Sequence, residues 1–132
     1  MEKEILVNSK IENLRKVEKF VDEISTECNL NSEVYGNLLI ATLEGANNAI
    51  VHGNKLNENL EVKISASYTK DLLKLRIEDR GPGFDYINIP DPTAPENIEN
   101  VSGRGVFLMT KLSDKLEFFN KGAIVELSFK LK

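Results

Sequence analysis

Apolar and polar residues alternate from Leu60 to Tyr68, with Leu60, Val62, Ile64, Ala66 and Tyr68 set against Glu61, Lys63, Ser65 and Ser67. A period of two places one set on a buried sheet face and the other in water, so the stretch predicts a half-buried strand. Leu73, Leu75 and Ile77 repeat the pattern after a turn at Lys70–Asp71 and predict a second strand ending at Asp79. Leu116 and Phe118, then Val125, Leu127 and Phe129, predict two more around Lys121–Gly122. Near the start, residues 3–8 (KEILVN) read as a first strand.

Elsewhere the period lengthens. Ile11, Leu14, Val17, Val21 and Ile24 recur at helical spacing and predict a helix to about Cys28. Ser9 and Glu12 have the spacing of a capping box at its start. Asn31 or Ser32 can cap a second helix through Leu38, Leu39, Ile40, Ala41 and Leu43, stopping near Gly53, a natural C′ residue. A short amphipathic helix is expected from Val106 to about Leu112. Two long helices followed by a meander predict an α+β two-layer sandwich, with helices on one face of a mixed, mostly antiparallel sheet.

Composition narrows the class. The 132 residues suit one domain, taken as residues 1–132, and 41% hydrophobic with 29% charged is a folded composition. The 17 basic and 21 acidic residues give a net charge of −4, which argues against a nucleic-acid partner because phosphates call for a basic face. Cys28 is the single cysteine, so no disulfide forms within the chain and no cysteine-ligated metal site is expected. No apolar run approaches the ~20 residues that span a bilayer, and MEKEILVNSK lacks the layout of a signal peptide. The expectation is a cytoplasmic protein without a membrane partner.

The chemistry concentrates in three places. The second helix carries Glu44, Asn48 and His52 at i, i+4 and i+8, on one stripe among Gly45, Ala46, Ala49, Ile50 and Val51. A solvated stripe is the plain reading of such residues. Against it, residues 36–54 contain no Lys or Arg, a poor composition for an outer face. Gly45 costs about 1 kcal/mol in a helix relative to Ala, which is tolerable where something passes close. Glu beside Asn suits a divalent cation with hard oxygen ligands and a carboxylate base, whereas His52 reads as a helix-end packing residue.

The second place is Asp79-Arg-Gly-Pro-Gly-Phe84, directly after a strand. A turn is the plain reading; alternatively, glycines let a ligand lie against the backbone while Asp79 accepts from an exocyclic amine. The third is Ser102-Gly-Arg-Gly-Val106, where a glycine pair precedes a helix. It is either a loop capped by Ser102 or a phosphate seat at a helix N-terminus, with Arg104 adding a charge. Between the last two, Pro82, Pro90, Pro92 and Pro95 are all the prolines of the chain, and residues 85–102 hold four acids and no base. So long a loop in so small a domain reads as a functional lid.

In this order the motifs resemble the GHKL ATPase superfamily of gyrase, the heat-shock chaperone, histidine kinases and mismatch-repair proteins. The N box looks like Glu44-Gly-Ala-Asn-Asn48-Ala-Ile-Val-His-Gly53, the first glycine box like Asp79-Arg-Gly81-Pro-Gly83, and the second like Gly103-Arg104-Gly105. Within the superfamily the chain most resembles the bacterial anti-sigma factor serine/threonine kinases. The resemblance implies the Bergerat ATP-binding fold and ATP with Mg²⁺ as cofactors. By it, Asn48 would ligate the Mg²⁺, Glu44 would be the general base, and Asp79 would bind the adenine amine. Gly81 and Gly83 would let the base lie close, and Gly103, Arg104 and Gly105 would hold phosphates under a lid at about 85–102.

The implied function is phosphorylation of an anti-sigma factor antagonist, with that antagonist and a sigma factor as partners and a homodimer as a further expectation. The alternative is a nucleotide-gated anti-sigma binding module without turnover. One departure from the family stands out. The family often has Gly-Thr on the penultimate hairpin, where the hydroxyl supports the adenine–Asp contact; here Gly122 is followed by Ala123.

Overall fold

The computed structural model describes residues 1–81 and 101–131, and for residues 101–104 the backbone course alone. Gly83 and residues 85–100 of the expected lid lie outside the described residues. The elements follow the expected order: β1 (Glu2–Asn8), α1 (Leu14–Cys28), α2 (Ser32–Asn47), β2 (Glu61–Tyr68), β3 (Leu72–Glu78), α3 (Val101–Leu112), β4 (Lys115–Phe119) and β5 (Ile124–Lys130). The strands form one sheet in the order β1-β2-β3-β5-β4. Every pairing among the described residues is antiparallel.

Register explains why the alternating pattern buries so cleanly. Ile64 pairs with Ile77 and Ile77 with Val125; Ala66 pairs with Leu75 and Leu75 with Leu127; Tyr68 pairs with Leu73 and Leu73 with Phe129. Each row presents apolar side chains to the same side, since cross-strand partners share a face. Those rows join Val17, Phe20, Val21 and Ile24 of α1, Leu38, Ala41 and Ala46 of α2, and Met109 of α3 in one core. Full burial of a large aliphatic side chain contributes about 1.5–3 kcal/mol, so these rows dominate the stability of the sandwich. On the far face Lys63 pairs with Glu4, and Arg76 with Glu126, beside the exposed apolar side chains of Leu6 and Phe119.

The helix ends depart from expectation in informative ways. Asn31 caps α2, its side chain accepting the Val34 N–H at 2.8 Å. Ser9 does not cap the first helix. A 3₁₀ turn (Ile11–Asn13) precedes α1, the residue before it is Lys10, and no side chain caps either segment. Ser9 is fully buried, and its hydroxyl donates to Leu60 O at 2.7 Å. The hydroxyl itself is buried and needs an acceptor inside the fold, and Leu60 O, which also accepts the Ser9 N–H, supplies one just ahead of β2.

The second difference is at the end of α2. The chain stays helical to Gly53, but residues Asn48–Gly53 form a π turn, and the Asn54 N–H bonds back to Ala49 O. Such wide turns often mark functional sites in helices. The third difference concerns α3, which begins at Val101 rather than Val106. Gly103 and Gly105 therefore lie inside the first turns of the helix instead of ahead of it.

Candidate functional site

A cleft opens between the end of α2 and the sheet. Gly45, Asn48, Ala49, His52 and Gly53 form one wall; Ile77, Asp79, Phe118, Gly122, Ala123 and Val125 form the floor; Met109 of α3 closes a side. Its empty volume is about 510 Å³, which includes the open space at its mouth. The lining is mostly apolar with a few polar groups, as a flat aromatic ligand with one polar edge requires.

Asp79 supplies the polar edge of the floor. β3 ends at Glu78, and the Asp79 N–H donates to Ala123 O at 2.9 Å, so the hairpin carrying Gly122 and Ala123 holds the backbone of Asp79 directly. The Gly81 N–H donates to Asp79 Oδ1 at 2.8 Å. Burial raises the Asp79 carboxyl above its ordinary value, and the Gly81 N–H opposes that rise. A desolvated carboxylate with one oxygen bonded to its own loop leaves the other to accept from a ligand.

Asn48 supplies the polar group of the wall. Its Oδ1 is buried and has no hydrogen-bond partner; Thr42 Oγ1 is the other such atom among the described side chains. An unsatisfied buried acceptor costs about 1–3 kcal/mol, so it calls for an explanation. A hard cation fits that oxygen. Magnesium takes only one or two protein oxygens when phosphates and waters complete its shell, which matches a single amide better than a cage of carboxylates. Nothing in the structure accounts for Thr42 Oγ1.

The sequence-predicted residues differ in where the structure places them. Asn48 and Asp79 share the cleft, and Gly81 adjoins it through Asp79. Gly105 packs on Asn48, since a Cβ there would lie 2.8 Å from Asn48 Nδ2, which brings the second glycine box against the N box. Glu44 stands one turn before Asn48 on α2, half-buried, and is not among the residues lining the cleft. Gly103 and Arg104 are placed on the α3 backbone, and Gly83 is outside the described residues. His52 is exposed and borders the cleft.

Several lining residues were not legible beforehand. Gly45 does admit a close approach, but by the protein itself: a Cβ there would meet Ile77 Cδ1 at 2.5 Å and Met109 Sδ at 3.2 Å. Gly53 is not the C′ residue its sequence position suggests, since the π turn runs through it and the left-handed residues are Lys55 and Leu56; what calls for glycine is Asp79, whose Oδ2 would stand 2.2 Å from a Cβ there. Ile77, Phe118 and Val125 read in sequence as ordinary strand core. Only pairing register brings them beneath one opening.

Known proteins share much of this sequence. Residues 7–129 match the histidine kinase-like ATPase domain. The chain is 29% identical over 112 residues to a serine-protein kinase RsbW of Oceanobacillus iheyensis, covering 80% of this chain and 71% of that one. It is 32% identical over 97 residues to an anti-sigma F factor of Clostridium perfringens, covering 69% of each. A serine-protein kinase RsbW of Staphylococcus aureus is 30% identical over 92 residues, covering 64% of this chain and 58% of that one. With nearly its whole length matched and the motif residues Asn48 and Asp79 in one cleft, the chain belongs to the histidine kinase-like ATPase domain family.

Proposed function

We propose that the protein is an ATP-dependent serine/threonine kinase of the anti-sigma factor type, which phosphorylates an anti-sigma factor antagonist and also binds a sigma factor. The observation that carries the reading is the buried, unpartnered Asn48 Oδ1 in the same cleft as the desolvated Asp79. A relative named a serine-protein kinase and another named an anti-sigma F factor support it.

Asp79 accepts from the exocyclic amine of adenine, while Gly81 and Gly83 keep side chains off the base. Asn48 Oδ1 would hold Mg²⁺, which when bound neutralises phosphate charge. Gly103 offers its N–H and Arg104 its guanidinium to the phosphates at the head of α3, beneath a lid of residues 85–102, while Gly105, inside the helix, lets α3 pack on Asn48. Glu44 takes the proton from the attacking serine or threonine hydroxyl. That oxygen bonds to the γ-phosphorus as the bridging bond breaks, and ADP departs. Positioning and charge stabilisation supply most of the acceleration in such transfers.

Incubation with labelled ATP, Mg²⁺ and a cognate antagonist tests the reading. Transfer to a serine or threonine of the antagonist is expected, lost in Glu44→Gln; transfer unaffected by that substitution removes Glu44 as the base. The position of Glu44 outside the cleft lining favours a second reading, a nucleotide-gated anti-sigma module without turnover. Tight ATP binding, capture of a sigma factor and no transfer to any antagonist would select it.

A further inference from the structure

The first glycine box is held from behind by a side chain that no motif contains. Asn54 follows the π turn and is 2% exposed. Its Oδ1 accepts the Arg80 N–H at 2.7 Å, and its Nδ2 donates to Ser9 Oγ at 2.9 Å and to Glu61 O at 3.2 Å. The orientation of the carboxamide is not ambiguous. A backbone N–H can only donate and a backbone carbonyl can only accept, so oxygen faces Arg80 and nitrogen faces Glu61. Ser9 spends its own proton on Leu60 O and therefore accepts from Asn54.

Three successive N–H groups of the loop are thus pinned to three different anchors. Asp79 N–H bonds Ala123 O, Arg80 N–H bonds Asn54 Oδ1, and Gly81 N–H bonds the Asp79 carboxylate. The middle anchor sets how closely the loop lies on the end of α2. The fit there is tight, since a Cβ on Gly81 would stand 1.8 Å from Gly53 O. If the Arg80 N–H loses its partner, the loop can lift from Gly53 and the Asp79 carboxylate turns with it.

We propose that Asn54 is a positioning residue of the nucleotide site: its buried carboxamide ties Arg80 to the head of β2 and so aims Asp79 at the base. The proposal rests on the nucleotide-binding reading above. A residue that merely knots β1, β2 and the π turn together would support the fold and leave ligand choice alone. A residue that aims Asp79 acts on the base end of the ligand and not on the phosphate end.

Calorimetry on the full chain separates these roles, with ATP and inorganic tripolyphosphate as ligands, each with Mg²⁺. Asn54→Ala is expected to weaken ATP by about tenfold, the scale of one buried hydrogen bond, with tripolyphosphate affinity unchanged. Ser9→Ala breaks the same knot but spares the Oδ1–Arg80 bond; it is expected to lower the melting temperature and leave ATP affinity as in the wild type. Equal losses for both ligands in Asn54→Ala, or an ATP affinity like that of the wild type, overturn the proposal. Wild-type protein that binds tripolyphosphate and not ATP overturns the adenine reading as well, so the two failures are distinguishable. Should Asn54→Ala fail to fold, hydrogen exchange in the wild type decides. The Arg80 amide is expected to be protected without nucleotide, and exchange as fast as in an open loop overturns the proposal.

Discussion

Gly53 and Asp79 meet so closely that an ideal Cβ on Gly53 would lie 2.2 Å from Asp79 Oδ2 and 2.4 Å from its Cγ. The obstacle is the far end of a short side chain, which can rotate away. Gly53→Ala is therefore expected to cost about 1 kcal/mol, since the carboxylate gives up its bond from the Gly81 N–H as it turns from its place on the cleft floor. ATP affinity should fall by about tenfold or more with only a small drop in melting temperature. Parallel calorimetry and thermal unfolding check this, and a variant that binds ATP normally would show that the carboxylate orientation is immaterial.

Gly81→Ala should behave in the opposite proportion. Its Cβ would stand 1.8 Å from Gly53 O and 2.6 Å from Gly53 C, and these are backbone atoms that cannot rotate aside. The loop and the π turn must separate. A loss of about 1–3 kcal/mol is expected by chemical denaturation, together with loss of ATP binding. Equal stability in the two alanine variants would mean that the loop does not rest on Gly53.

Asn48→Ala removes an acceptor that is buried without a partner. In the free protein that removal should be neutral or stabilising, because an unpaired buried oxygen itself costs about 1–3 kcal/mol. MgATP binding should drop sharply while adenosine, which needs no metal, binds as before. An unfolded or strongly destabilised variant would show that Asn48 is a structural residue.

How far the sequence revealed this arrangement depends on the range of the interaction. The strands were legible because a period of two and burial on one face are local properties, as Val62, Ile64 and Ala66 show against Lys63 and Ser65. Asn48 and Asp79 were legible because motif spacing marks them. Ser9 was misread because capping-box spacing is local, whereas its actual partner, Leu60, is 51 residues away. The π turn at residues 48–53 and the early start of α3 were missed for the same reason: tertiary contacts, here Gly105 against Asn48, override local helix signals. Asn54 belongs to none of the sequence motifs, and only the fold brings Arg80 to it.

Acid should weaken base recognition through Asp79. Burial raises its carboxyl above the usual carboxylate value, with the Gly81 N–H pulling the other way. The folded state thus takes up a proton at higher pH than the unfolded chain, so the burden of the buried charge on stability is relieved as pH falls through the folded pKa. Binding runs the other way, because a protonated carboxyl no longer accepts equally well from an amine. Adenosine affinity is expected to decline as pH drops from neutrality toward about 4, a probe that keeps phosphate titration out of the measurement. Asp79→Asn should bind more weakly with a flat profile over that range; a sloping profile in that variant would assign the titration to another group.

At the far end of the sheet, Tyr68 joins the first strand to the first helix. Its hydroxyl donates to the Glu27 carboxylate, Glu27 also accepts from Lys3 Nζ at 2.9 Å, and the terminal ammonium of Met1 donates to Tyr68 O at 2.8 Å. Burial first, and then Glu27, push the Tyr68 phenol up to about 12, and the Glu27 carboxylate also raises Lys3. An acid whose folded pKa lies above its unfolded value contributes stability that is complete below the unfolded value, near 10 for tyrosine, and is lost as pH rises through the folded one. Tyr68→Phe removes both the bond and the titration. It should melt lower than the wild type at neutral pH, and the difference should close between about pH 10 and 12. Thermal unfolding across that window is the measurement, and a gap that stays constant would separate the alkaline loss of stability from Tyr68.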